Sequence, residues 1–141
     1  IAKANKLLKN AGIKKLIPLK VAGAYHSRLM QPAATKFAEI LETTQFKNPC
    51  IPVAQNVCGK IVNSSDEIRV NLARQVSGTV CWEKCVLELF ALGADTIIEF
   101  GPGNVLSGLA KRIKPELKTY NINSVKTINE FKSFIDQNQQ I

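Results

Sequence analysis

The chain has one histidine, His26, in the run Val21-Ala-Gly-Ala-Tyr-His-Ser27. Imidazole is the side chain whose ordinary titration range lies near neutrality, so a single well-placed histidine can take and return a proton. Its position is informative. The β-prone stretch Leu16-Ile-Pro-Leu-Lys-Val21 leads into two small residues and an aromatic before the ring, and a helical pattern starts directly after it. The end of a strand feeding a helix is where α/β enzymes set their chemistry. The other candidate groups offer less. Cys81 and Cys85 share one helix face, but neither Cys50 nor Cys58 completes a second pair, so no metal site is expected and packed, reduced thiols are. Gly101-Pro-Gly-Asn104 fails the dinucleotide fingerprint because Leu106 stands where its last glycine belongs, and no Lys-Ser/Thr pair follows. That segment reads as a tight turn with close helix packing.

The elements that must position His26 follow from apolar periodicity and stop signals. A helix is expected over 2–11, ended by Gly12, and then a strand over 15–21. Ser27 is the expected N-cap of a helix reaching Thr44, with Leu29, Met30, Ala33, Phe37, Ile40 and Leu41 as its apolar stripe. Pro32 falls in the first turn or so, where proline is tolerated. A short strand over 52–57 and a turn into an edge strand over 59–62 come next. Helices are expected over 66–76, capped by Ser64 or Ser65, and over 82–92, stopped by Gly93. A buried strand over 96–100, a helix over 104–113, a strand over 119–122 and a helix over 128–137 complete the chain. This alternation predicts an α/β fold with a parallel or mixed sheet flanked by helices.

Several ordered motifs resemble one family. Gly23-Ala-Tyr-His-Ser27, then Leu29-Met30 and Pro32-Ala-Ala34, resemble the histidine segment of malonyl-CoA:acyl carrier protein transacylases. Ile51-Pro-Val-Ala-Gln-Asn-Val57, Arg74-Gln75, Val80-Cys-Trp82 and the run Glu99 to Ile113 resemble that family's later motifs, in the right order. The resemblance implies that His26 is the general base of a ping-pong Ser-His mechanism, moving malonate from malonyl-CoA to the pantetheine thiol of acyl carrier protein. It also implies that a backbone carbonyl near Gln75 orients the ring, and that Gln75 lines the acyl pocket. Tyr25 stands where an aromatic goes with malonyl preference over methylmalonyl, a discrimination of about 1–3 kcal/mol for one methyl. Asn56 is expected beside the substrate, bracing loops near the site.

The same resemblance shows what the sequence lacks. The family's nucleophile sits in a Gly-x-Ser-x-Gly elbow. None of Ser27, Ser64, Ser65, Ser77, Ser107, Ser124 or Ser133 has glycines two positions before and after it. The family's carboxylate-binding arginine also lies upstream and does not map onto Arg28, Arg69, Arg74 or Arg112. The chain is therefore expected to be the C-terminal half of a transacylase, needing an N-terminal half that carries the serine. On this reading residues 1–21 end a small ferredoxin-like subdomain with its last helix and strand. Residues 22–141 form the C-terminal part of a larger hydrolase-like domain. A polyketide synthase acyltransferase domain and a non-catalytic carrier-protein-binding fragment are the alternatives.

Composition narrows the partners. The chain has 141 residues, one domain's worth, and 45% hydrophobic content, which is ordinary for a globular protein. Nineteen Lys and Arg against eleven Asp and Glu give a net charge of +8. The basic residues occur in ones and twos and are not interleaved with Trp82, Tyr25 or Tyr120, so nucleic acid is not the expected partner. An acidic carrier protein and the phosphates of coenzyme A fit better. No cofactor is expected beyond malonyl-CoA as substrate. No apolar run reaches the roughly 18 residues of a membrane span, and no signal-peptide pattern is present, so the cytoplasm is the expected location.

Overall fold

Polar residues at the ends of apolar runs set most element boundaries. The computed structural model describes residues 2–17 and 21–138. Helix α1 covers Ala2–Asn10, and Gly12 turns the chain away at φ +86°. Ser27 caps a single 3-10 turn, Arg28–Met30, that runs directly into α2, Gln31–Thr43. Strands β1 (Val53–Gln55) and β2 (Lys60–Val62) form an antiparallel hairpin with Ala54 opposite Ile61. Ser64 caps α3 (Ser65–Gln75) by accepting a hydrogen bond from the Glu67 amide, and Asp66 and Glu67 add negative charge to the first turn. Helix α4 (Trp82–Ala91) stops before Gly93, which takes φ +92°. A βαβ unit follows: β3 (Thr96–Phe100), α5 (Val105–Ile113) and β4 (Lys118–Ile122), the two strands parallel with Ile98 opposite Tyr120. Helix α6, Val125–Asn138, packs on β4 and starts three residues earlier than its apolar pattern suggests.

The core lies between α4 and the βαβ unit. Val86, Ala110 and Leu117 are buried there, with Trp82, Phe90, Ile97 and Ile113 packed around them. Helices α2 and α3 lie against each other through Ala34 and Leu41, and a polar link ties α3 to the hairpin. Buried Asn71 donates to Gln55 Oε1 at 2.9 Å and accepts from Arg74 Nη1 at 3.3 Å. At the end of β3, Glu99 closes the α5 N-terminus. Its carboxylate accepts from the Ser107 hydroxyl at 2.7 Å and from the Ser107 and Leu106 amides at 2.9 and 3.2 Å.

Several expectations are corrected. Among the described residues the strands form two separate two-stranded sheets, one antiparallel and one parallel, in place of a single sheet. The strand expected over 15–21 is absent at residues 15–17, and residues 18–20 lie outside the described part. Strand β3 is half-buried, with Phe100 74% exposed, because β4 and α5 are its only close neighbours among the described elements. In α2 the buried positions are Ala34 and Leu41, while Ala33 and Ile40, and Leu29 in the 3-10 turn before it, face outward. Helix α1 buries none of its residues, and Leu7 and Leu8 are exposed. No helix among the described residues is long and apolar enough to cross a membrane.

Two outcomes follow from this packing. Leu117 is 1% exposed, so Leu117→Ala is expected to cost about 2–5 kcal/mol in urea unfolding, through lost burial and the cavity left behind. The Ser107 hydroxyl, then the Ser107 and Leu106 amides, hold the Glu99 carboxyl below its ordinary 4.5. A depressed folded-state value contributes stability above the unfolded value and loses it as pH falls. The melting temperature is therefore expected to drop between roughly pH 5 and roughly pH 3, and to drop less in Glu99→Gln. Equal slopes in the two proteins would show that Glu99 holds nothing together.

Candidate active site

His26 lies on a turn spanning Ala24 to Ser27 and takes φ +58°, the only positive φ at a non-glycine residue among those described. An L side chain in that region costs about 1–2 kcal/mol, although histidine enters it more readily than most. The ring then reaches across 49 positions of sequence. Its Nδ1 lies 2.9 Å from the Gln75 carbonyl oxygen. A carbonyl only accepts, so Nδ1 carries a proton and donates it, and in the neutral ring the lone pair then falls on Nε2 of this exposed residue.

The acceptor's surroundings explain its position. Gln75 is the last residue of α3, where the final carbonyls lack helical partners and carry partial negative charge. That charge complements the positive ring that forms when Nε2 takes a proton. No carboxylate bonds to the ring among the described residues, so the helix end stands where a serine hydrolase places an acid. The chain then turns sharply. The Gly78 amide donates to Arg74 O at 2.8 Å, and the Gln75 side chain donates to Gly78 O at 3.3 Å. A Cβ at Gly78 would come within 2.7 Å of Arg74 O and 2.8 Å of Val57 Cγ2, so only glycine fits there. Ser77 Oγ donates to Gln31 Oε1 at 3.2 Å and ties this loop to the start of α2. A cleft of about 570 Å³ opens beside that tie, lined by Gln31, Thr35, Val57, Arg74, Ser77 and Thr79.

The remaining residues singled out by sequence are placed as follows. Tyr25 adjoins the base, and its ring lies over Gly23, where a Cβ would come 3.2 Å from Tyr25 Cζ. Gln75 meets His26 through its main chain, while its side-chain amide turns to the carbonyls of the 78–79 loop. Asn56 sits at the hairpin turn, next to Val57, which lines the cleft. Its carbonyl accepts from the Cys81 amide at 2.8 Å, no hydrogen bond joins it to His26, and its buried Oδ1 has no partner among the described residues. Sequence reasoning missed the Gln31–Ser77 tie, whose 46-residue separation leaves no local pattern to read. No group of three or more His, Cys, Asp or Glu among the described residues could hold a metal ion.

No protein-family model matches the chain. The malonyl CoA-acyl carrier protein transacylase of Bacillus subtilis (strain 168) is 40% identical over 125 residues, covering 89% of this chain and 39% of that protein. The crystal structure of malonyl CoA-acyl carrier protein transacylase from Clostridium perfringens superposes with a TM-score of 0.87 at 29% identity, covering 98% of this chain and 43% of that one. A third structure, a type II PKS acyl-carrier protein in complex with its malonyl-transacylase, matches with a TM-score of 0.79 at 39% identity, covering 89% of this chain and 41% of that one. The chain thus spans about two fifths of the length of the relatives it matches. Over that shared stretch, sequence and fold together show that it belongs to the malonyl CoA-acyl carrier protein transacylase family.

Proposed function

We propose that this chain supplies the general base for malonyl transfer from malonyl-CoA to the pantetheine thiol of an acyl carrier protein, in fatty acid synthesis. The observation that carries the reading is the bond from His26 Nδ1 to the Gln75 carbonyl, which leaves Nε2 exposed and free to accept a proton. In the first half-reaction Nε2 takes the proton of a serine hydroxyl contributed by sequence outside this chain. The serine oxygen attacks the thioester carbonyl, the carbon–sulfur bond breaks, and the imidazolium returns the proton to the coenzyme A thiolate. In the second, Nε2 takes the pantetheine proton, the sulfur attacks the acyl-serine carbonyl, the carbon–oxygen bond to serine breaks, and the proton goes back to the serine oxygen. Gln75 orients the base through its carbonyl. The Tyr25 ring, resting on Gly23, crowds the carbon next to the thioester and favours malonyl over bulkier acyl groups. Asn56 braces the loop below the site.

The distribution of charge supports an acidic partner. Residues 1–38 hold eight Lys or Arg and no Asp or Glu, while residues 39–141 hold eleven of each sign. The whole net charge thus lies in the acid-free segment that contains His26, an arrangement that speeds encounter with a negatively charged protein or a phosphorylated thioester. On the same reading, residues up to 21 close a small ferredoxin-like subdomain. The βαβ unit of β3, α5 and β4 belongs to a larger hydrolase-like sheet, and the protein works in the cytoplasm.

The direct test is a chimera in which this chain replaces the matching stretch of the Bacillus subtilis relative. Malonyl transfer to holo-acyl carrier protein is followed by intact mass. The chimera is expected to transfer malonate, and His26→Ala is expected to lower the rate by about 10²–10⁴-fold. Full activity in His26→Ala, or stable acylation of the chain by itself, would sink the proposal.

A further inference from the structure

The left-handed turn at His26 needs something to hold it, and Ser27 supplies it. Its hydroxyl donates to Ala24 O at 2.7 Å and accepts from the Leu29 amide at 3.3 Å. The two bonds bracket His26, one before it and one after. A residue that only caps a helix needs the second bond alone. The donation to Ala24 has no role in capping and closes the turn around the histidine. We propose that Ser27 is a positioning residue for His26: it keeps the backbone left-handed, so that the ring points at the α3 C-terminus and Nδ1 meets Gln75 O.

The local surroundings leave this task to few groups. Residues 21–26 are all exposed, so packing does not hold the turn. Among the described residues, the side-chain hydrogen bond that ties this region to the rest of the fold besides His26 to Gln75 is Gln31 to Ser77, which fixes the start of α2 and lies five residues past the histidine. Without the Ser27 hydroxyl, Ala24 O and the Leu29 amide bond to water, and the Gln75 contact and the main-chain bond from Met30 to Ser27 O are left to oppose the strain at φ +58°. His26 then relaxes toward an ordinary φ, its Cβ swings to another direction, and Nδ1 leaves Gln75 O.

The inference rests on His26 being the proposed base, but its test does not depend on that reaction. The 141-residue chain is labelled with ¹⁵N-histidine, and the ring is observed by NMR above the imidazole's ordinary titration range. In the unaltered chain a single tautomer protonated at Nδ1 is expected, with a downfield Nδ1–H resonance shielded from exchange. Ser27→Thr keeps the hydroxyl and is expected to keep that resonance. Ser27→Ala and Ser27→Val are expected to lose it, with both ring nitrogens shifting toward the averaged values of a free imidazole. Far-UV circular dichroism is expected to be unchanged throughout, because Ser27 lies outside the core of Val86, Ala110 and Leu117. Retention of the Nδ1–H in Ala and Val, even with a lower melting temperature, would reduce Ser27 to a helix cap and overturn the inference. Its loss in all three variants, or global unfolding of Ala and Val, would overturn it as well. In the chimera, Ser27→Ala is expected to lower kcat with little change in KM. If His26 proves uninvolved in transfer while the NMR result holds, the positioning stands and only the proposed function fails.

Discussion

The bond between His26 Nδ1 and the Gln75 carbonyl is the constraint on which the site depends. It joins two segments that share no local sequence, and it does so only if two backbone conformations are correct together. On one side a histidine must sit in the left-handed region. On the other, α3 must end at Gln75 so that its last carbonyls face outward, and Gly78 must let the chain fold back over them. The Asn71–Gln55 bond sets how α3 lies against the hairpin, and through α3 it sets where the acceptor stands. The chemistry of one ring therefore rests on the placement of a whole helix.

Much of this was legible from residues one at a time. Ser64 or Ser65 marked the start of α3, and Gly93 marked the end of α4, because caps and stops act within a turn of helix. The family motifs singled out His26 and Gln75, and the structure joins the two through Nδ1 and a main-chain carbonyl. The left-handed backbone at His26 was not legible, since histidine does not announce positive φ as glycine does. Nor was the Gln31–Ser77 tie, or the use of the Gln75 side chain to brace its own loop, because long-range pairing leaves no periodic trace. The α2 stripe misled for a related reason. Spacing identifies an apolar face but not what covers it, and Leu29 and Ile40 face outward. The grouping of strands was not legible either: among the described residues β1–β2 and β3–β4 each pair locally, and alternation alone cannot say whether they join.

Charge is unevenly spread along the chain. The acid-free first 38 residues include α1 and the turn at His26, which bury almost nothing. The electrically balanced remainder holds the apolar core around Leu117 and the capped helices. His26 lies in the acid-free segment, and its ring bonds across to the end of α3 in the balanced one.

That the ring's acceptor is a main-chain oxygen has an evolutionary consequence. An aspartate orienting a catalytic histidine is lost by a single base change, whereas every amino acid at position 75 brings a carbonyl. The site is thus buffered against substitution at its most important contact. Its vulnerability lies in length: a one-residue insertion or deletion within α3 would rotate the terminal carbonyls by about 100° around the helix axis, as 3.6 residues per turn requires, and turn the acceptor away. The contact itself therefore tolerates a change of letter at position 75 but not a change in the count of residues between Ser64 and Gly78.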